Sequence, residues 1–229
     1  MQFRTILRQS RPTILLHYFV ILICLLACGP GFRRLEAADP DFIPLFDGRT
    51  FTGWEGDTKT TWRIENGALV AGTLDTPQPR NEFLATARAY RDFELRLKWK
   101  LEGDRQKVNG GIQFRSRRIP GNHEMIGYQA DLGSDVDGAL YDESRRNRFL
   151  ARPTDDVVKR AIKPTGEWND YVIRAEGTRI QIWLNGVKTV DYVERDSDID
   201  DKGVIAVQIH GGGPLVVRYK NIVLRDREQ

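Results

Sequence analysis

Phe93–Leu101 reads FELRLKWKL, nine residues in which apolar and charged side chains alternate without a break. A helix would scatter the apolar members around its circumference. An extended chain puts successive side chains on opposite faces and gathers Phe93, Leu95, Leu97, Trp99 and Leu101 on one side. The segment therefore predicts a strand with one face in a core and one in water. The same period recurs along the chain. Tyr171–Glu176 and Ile180–Leu184 are joined by Gly177-Thr178-Arg179, a hairpin, and Asn185-Gly186 supplies the pair of positive-φ residues that a type I′ turn needs before Val187–Tyr192. Val204–His210 and Leu215–Tyr219 flank Gly211-Gly212-Gly213-Pro214, and Asn221–Leu224 closes the series. Only Thr154–Ile162 predicts a helix, with Thr154 as N-cap before Asp155 and Asp156. Many short strands at this spacing predict an all-β fold, an antiparallel sandwich with at most one short helix.

Residues 1–38 do not belong to that pattern. Arg4, Arg8 and Arg11 precede the apolar run Ile14–Ala27, and the small pair Ala37-Ala38 follows. This is the form of a signal peptide, with an apolar part short for a membrane span. Leu25-Leu26-Ala27-Cys28 offers an alternative, a lipoprotein leader with a lipid anchor at Cys28. Either way the expectation is an exported protein, periplasmic or extracellular, with residues 39–229 as a single domain. The leader also carries the basic excess. It holds five Arg and one Glu, so the 35 basic and 32 acidic residues of the chain become 30 and 31, a net −1. A nucleic-acid partner thereby loses its electrostatic support. Both cysteines, Cys24 and Cys28, lie in the leader. The domain has no disulfide and no thiolate nucleophile and must rely on its core.

Period-two reading of three other strands finds a different polar face. In Gly110–Arg115, Gln113 and Arg115 oppose Ile112 and Phe114. In Gly127–Gly133, Gln129 and Asp131 oppose Tyr128, Ala130 and Leu132. In Val204–His210, Gln208 and His210 oppose Ile205, Val207 and Ile209. The wet face of the 93–101 strand, Glu94, Arg96, Lys98 and Lys100, is long and flexible by comparison. Planar amides beside one Arg, one Asp and one His donate and accept in fixed directions, which suits the hydroxyls and carbonyls of a carbohydrate.

Several segments, taken in order, resemble a known family. Phe46-Asp47-Gly48, Gly53-Trp54 and Trp62–Gly67 resemble the opening of the 3-keto-disaccharide hydrolase domain family, also described as 3-keto-glucoside lyase/hydratase. Asn109–Ser116, Gly127–Asp131, Gly166–Asn169, Asn185-Gly186, Gln208–Gly211 and Lys220–Ile222 continue the series. The resemblance covers nearly all of residues 42–226. It implies a concanavalin A-like jelly-roll sandwich and a carbohydrate substrate. It further implies cleavage of 3-keto-glucosides or 3-keto-disaccharides by β-elimination and hydration or by net hydrolysis. A ketone at C3 acidifies the C2 proton, so a base at C2 can drive expulsion of the C1 substituent. That chemistry needs a general base, a group on the C3 oxygen and a proton donor for the leaving group.

His210, Arg115, Asp131 and Glu143 are the candidate catalytic residues. The His210 imidazole can take or give a proton, Arg115 could hold the enolate oxygen, and the two carboxylates could act as bases or hydroxyl anchors. Gln113, Gln129, Gln208, Tyr141, His123 and Glu124 are the candidate substrate-binding residues, with Arg145 and Arg148 on a further rim and Trp168 either stacking on sugar or packing in the core. The cofactor is unknown. A divalent ion on His123, Glu124, Asp131 and His210 is left open, and no residue is assigned to a metal. Asp135-Val136-Asp137-Gly138 begins like a calcium loop but lacks the glutamate at the twelfth position of an EF-hand. Two alternatives compete with the enzyme reading. A non-catalytic carbohydrate-binding module on the same sandwich would need only amides and aromatics, whereas a retaining glycosidase commonly carries Glu-x-Asp-x-x-Glu on one strand, which is absent from this sequence.

Overall fold

Alternation is converted into architecture by pairing. The computed structural model describes residues 39–228, so the expected leader at 1–38, with Cys28 and the alternative of a lipid anchor there, lies outside the described residues. The strands are β1 (Ile43–Pro44), β2 (Trp54–Glu55), β3 (Trp62–Glu65), β4 (Ala68–Ala71), β5 (Glu82–Tyr90), β6 (Phe93–Gly103), β7 (Asn109–Arg118) and β8 (Met125–Gly133). They continue with β9 (Leu140–Glu143), β10 (Arg148–Ala151), β11 (Asn169–Glu176), β12 (Arg179–Leu184), β13 (Val187–Val193), β14 (Gly203–Ile209) and β15 (Leu215–Asp226). One helix, α1 (Asp155–Ala161), lies between β10 and β11. Thr154 stands at its N-cap, although the hydroxyl makes no capping bond.

Two antiparallel sheets result. One runs β13-β12-β11-β6-β15-β4-β3 with β1 on β15, and the other runs β10-β9-β8-β7-β14-β5-β2. The hairpins form where the turn residues demand them. Glu176 pairs with Arg179 across Gly177-Thr178, and Leu184 pairs with Val187 across Asn185-Gly186, both at positive φ. The apolar faces meet between the sheets. Leu95, Leu97, Trp99 and Leu101 of β6 share one buried cluster with Ile112 and Phe114 of β7, Tyr128, Ala130 and Leu132 of β8, and Ile205, Val207 and Ile209 of β14. Burying each large side chain contributes about 1.5–3 kcal/mol, so a domain without disulfides has ample material for stability.

Two expectations change. The segments 215–219 and 221–224 form one strand, β15, whose register shifts between Lys220 and Val223 around Asn221 at φ +53. The bulge shifts the register without ending the pairing, so β15 stays beside β6 from Leu215 to Asp226. The outer face of β6 is not uniformly wet either. Glu94 is buried because Arg96 and Arg174 each bond its carboxylate at 2.6 Å. Trp168 packs on the outer side of the first sheet, beside Ala68, Val70 and Val216, with the Lys220 ammonium 4.0 Å from its ring centre. It is thus a cover for that face.

Candidate functional site

The second sheet aligns the polar residues in register. Gln113 of β7 lies opposite Gln129 of β8, which lies opposite Tyr141 of β9, so one row of side chains crosses three strands. The next row holds Gln208 of β14, Gly111 of β7 and Asp131 of β8. Glu143, two residues beyond Tyr141, projects from the same face of β9. Beside these groups a cavity of about 200 Å³ is lined by Asn81, Asn109, Gln129, Asp131, Val136, Tyr141, Glu143, Phe149 and His210. Five of the ten expected site residues therefore share one cavity: His210, Asp131, Glu143, Gln129 and Tyr141.

The other five lie elsewhere. Gln113 and Gln208 are fully buried in the sheet face and do not line the cavity. Both amide atoms of Gln208 are without a hydrogen-bond partner among the described residues. Glu124 sits one step behind the rim. It accepts from Asn81 Nδ2 at 3.0 and 3.3 Å, while Asn81 Oδ1 accepts from the Gly211 amide at 2.9 Å, which ties the 124 loop to the turn after β14. His123 Nδ1 lies 3.4 Å from Glu124 Oε1 without forming a hydrogen bond, outside the cavity.

Arg115 departs furthest from expectation. Strict alternation puts it beside Gln113, but β7 bulges between Phe114 and Arg117, and Arg115 adopts φ +47. The bulge turns its side chain toward the turns at the opposite end. The guanidinium donates to the carbonyls of Arg91 and Gly177, both at 2.7 Å, and to Asp92 Oδ1 at 2.9 Å. Gly203 permits this. A Cβ there would stand 2.4 Å from the Arg115 carbonyl carbon and the Ser116 nitrogen. Arg115 is a clasp between the β5–β6 and β11–β12 turns, remote from the cavity. Arg145 and Arg146 are likewise structural, since both chelate the buried Asp142 carboxylate, and Arg146 also pairs with Glu194 at 2.6 Å. Arg148 is exposed and lines no part of the cavity.

Burial sets the electrostatics of the cavity. It pushes the Asp131 carboxyl up to about 8, because the charged form loses water; nearby Glu143 and Asp137 add to the rise, and the Gln129 hydrogen bond opposes it. Burial also pushes Glu143 up to about 7, helped by the charge of Glu124. Tyr141 is raised by burial and by the same carboxylates. His210 Nδ1 lies 2.6 Å from the Gly211 carbonyl oxygen, which can only accept, so Nδ1 carries a proton and Nε2 is the ring nitrogen left to meet a ligand. Phe149 meets Tyr141 edge to face at 5.1 Å and supplies an apolar wall. Among the described residues no three His, Cys, Asp or Glu side chains form a cluster able to hold a metal ion.

A larger open cleft of about 480 Å³ is lined by Asp57, Thr61, Arg63, Gln78, Arg80 and Glu82 among others. Its polar groups are largely paired with one another, as Arg80 is with Glu82 at 2.8 Å. The smaller cavity is the candidate site because it gathers the buried titratable groups.

The sequence matches the 3-keto-alpha-glucoside-1,2-lyase-like domain over residues 41–225. The chain belongs to that family. A 3-keto-disaccharide hydrolase of Bacteroides thetaiotaomicron is 27% identical over 167 residues, which cover 60% of this chain and 57% of that protein; the match thus spans little more than half of the relative. Among solved structures, a candidate glycosyl hydrolase of Parabacteroides distasonis superposes with a TM-score of 0.62 at 20% identity, covering 84% of this chain and 98% of its own. The carbohydrate-binding module CBM66 of Bacillus subtilis gives 0.59 at 14% identity, covering 76% and 96%. These likenesses establish the sandwich architecture, and family membership makes this a carbohydrate-active domain akin to 3-keto-disaccharide hydrolases. Asn81, Asn109, Val136 and Phe149 were missed by strand-face reasoning: Asn81 and Val136 lie outside strands, Asn109 opens β7 one residue before the Gly110–Arg115 stretch that was counted, and Phe149 joins the site only through the β9–β10 hairpin.

Proposed function

We propose that this is an exported enzyme that cleaves the glycosidic bond of a 3-keto-glucoside by β-elimination, with water adding to the product to complete a net hydrolysis. The observation that carries the reading is the gathering of two carboxyls, Asp131 and Glu143, on one cavity, where burial raises the first to about 8 and the second to about 7. At neutral pH about half of Glu143 is ionised, so it can take the C2 proton that the C3 ketone acidifies. Asp131 is mostly protonated there and can give its proton to the departing C1 oxygen. The electrons of the C2–H bond form the C1=C2 bond as the C1–O bond breaks, which leaves an enone. Water then adds at C1 and a proton returns to C2. The Nε2 atom of His210, the Tyr141 hydroxyl and Asn109 hold sugar hydroxyls along the wall.

The test is incubation of the full chain with 3-keto-sucrose or a 3-keto-glucoside, with the enone absorbance and the released sugar both followed. An enone transient with loss of solvent-exchangeable C2 hydrogen supports elimination. Release without C2 exchange would sink the elimination step, and tight binding without turnover would make the domain a binding module.

A further inference from the structure

Four buried groups form an unbroken chain beneath the cavity. Ser116 Oγ donates to Gln113 Oε1 at 2.6 Å, Gln113 Nε2 donates to Gln129 Oε1 at 2.8 Å, and Gln129 Nε2 donates to Asp131 Oδ1 at 2.7 Å. Every donor points the same way, toward the carboxyl. An amide has one donating and one accepting end, so fixing one amide fixes its neighbour. Gly111 makes the geometry feasible, since a Cβ there would lie 2.4 Å from Gln129 Cδ and push the amide off the strand. Gln113 and Ser116 do not line the cavity.

We infer that Gln113 and Ser116 are positioning residues that lock the Gln129 amide with its N–H on Asp131 Oδ1, so that the other carboxyl oxygen is the one that exchanges a proton with substrate. Gln113 thus changes from a substrate contact to a support acting through Gln129. The lock also selects between protonation states. An ionised Asp131 needs a donor from Gln129, whereas a protonated one could donate its own O–H to a reversed Gln129. Reversal would turn Gln113 as well and leave Ser116 to redirect its proton, for which the Phe114 carbonyl at 2.9 Å is in reach. The intact relay opposes that reversal and so favours the ionised form. The charged and titratable groups around Asp131 are Glu143, Tyr141 and His210 on the same cavity, with Asp137, Arg152 and Tyr171 beside it. None is a member of the relay, so amide substitutions leave them in place.

This inference deepens the acid–base reading of Asp131, and its test is read without turnover. The protein is labelled with carboxyl-¹³C aspartate, the Asp131 resonance is assigned by its loss in Asp131→Asn, and its titration midpoint is measured. Gln129→Met removes the direct donor and is expected to raise the midpoint by about one pH unit or more, a tenfold change in proton affinity. Gln113→Met, which preserves shape, is expected to raise it by roughly half a unit. In the double variant Gln113→Met should add nothing to Gln129→Met, because its effect passes through that amide. An unmoved midpoint in folded Gln113→Met, or shifts that simply add, would overturn the relay. If the relay holds and no keto-sugar is cleaved, the fault lies with the proposed reaction alone.

Discussion

Replacing Asp131 by Asn should make the protein more resistant to alkali, by an amount the structure sets. Burial holds the native carboxyl near 8, against 3.8 for the free group. Between those values the native state binds one more proton than the unfolded chain, so stability falls as pH rises across the window. The cost is absent below about pH 4, where both states are protonated, and complete above about pH 8. Each unit is worth 1.36 kcal/mol, so wild type should lose about 4 kcal/mol relative to Asp131→Asn between pH 5 and pH 8. The substituted amide would be uncharged throughout and could still accept from Gln129. Glu143 and Asp137 titrate in both proteins, so the difference between the two belongs to position 131 together with its coupling to those two carboxyls. With a urea slope of about 2 kcal/mol/M, the gap between the unfolding midpoints should widen by about 2 M. Urea unfolding of both proteins at pH 5, 7 and 8 measures it directly. Two stability curves that stay parallel to within about 0.5 kcal/mol would refute the raised carboxyl, and with it the proton donor of the proposed reaction.

Other consequences are measurable in parallel. The rate profile of kcat/KM against pH should be a narrow bell with limbs near 7 and 8; Glu143→Gln should abolish the acid limb together with most of the rate, and Asp131→Asn the alkaline limb. His210→Ala should raise KM by about tenfold or more, as expected for one lost hydrogen bond to sugar, with the melting temperature little changed. Gly111→Ala should cost about 1–3 kcal/mol in thermal unfolding, because the added methyl displaces the Gln129 amide. Arg115→Ala should lower stability by about 2–3 kcal/mol through three lost hydrogen bonds, while activity per folded molecule stays at the wild-type level. Loss of activity in stable, folded Arg115→Ala protein would return Arg115 to the site.

The fold was legible because alternation is a local property. Tyr128, Ala130 and Leu132 can share a face only in an extended chain, and a sandwich is the simplest way to bury several such faces at once. The turn at Asn185-Gly186 was legible for a similar reason, since both residues tolerate the positive φ that the hairpin imposes. The two-strand reading of 215–224 failed at Asn221 because a bulge interrupts the period without ending the strand. Glu94 escaped for another reason. Arg96 stands two residues along the same face, but Arg174 on β11 is brought beside Glu94 by sheet order, and period-two counting is blind to which strand lies beside which.

The site shows where that method runs out. Counting by twos from Gln113 gives Arg115, and one bulge sends that side chain to the opposite end of the sheet and puts Ser116 in hydrogen-bond reach of Gln113 instead. The error therefore has a structural meaning, because the residue that alternation skipped closes the relay below Asp131. Regular alternation would have set Arg115 opposite Gly127 and so beside Glu143, and a guanidinium there would hold that carboxyl ionised and low. The bulge removes that charge and leaves neutral amides. A buried carboxyl surrounded by amides and other acids titrates high, which is the condition a proton donor needs near neutral pH. The positive φ at Arg115, the closure of the relay on Asp131 and the lack of a guanidinium beside Glu143 thus follow from the same break in the β7 ladder.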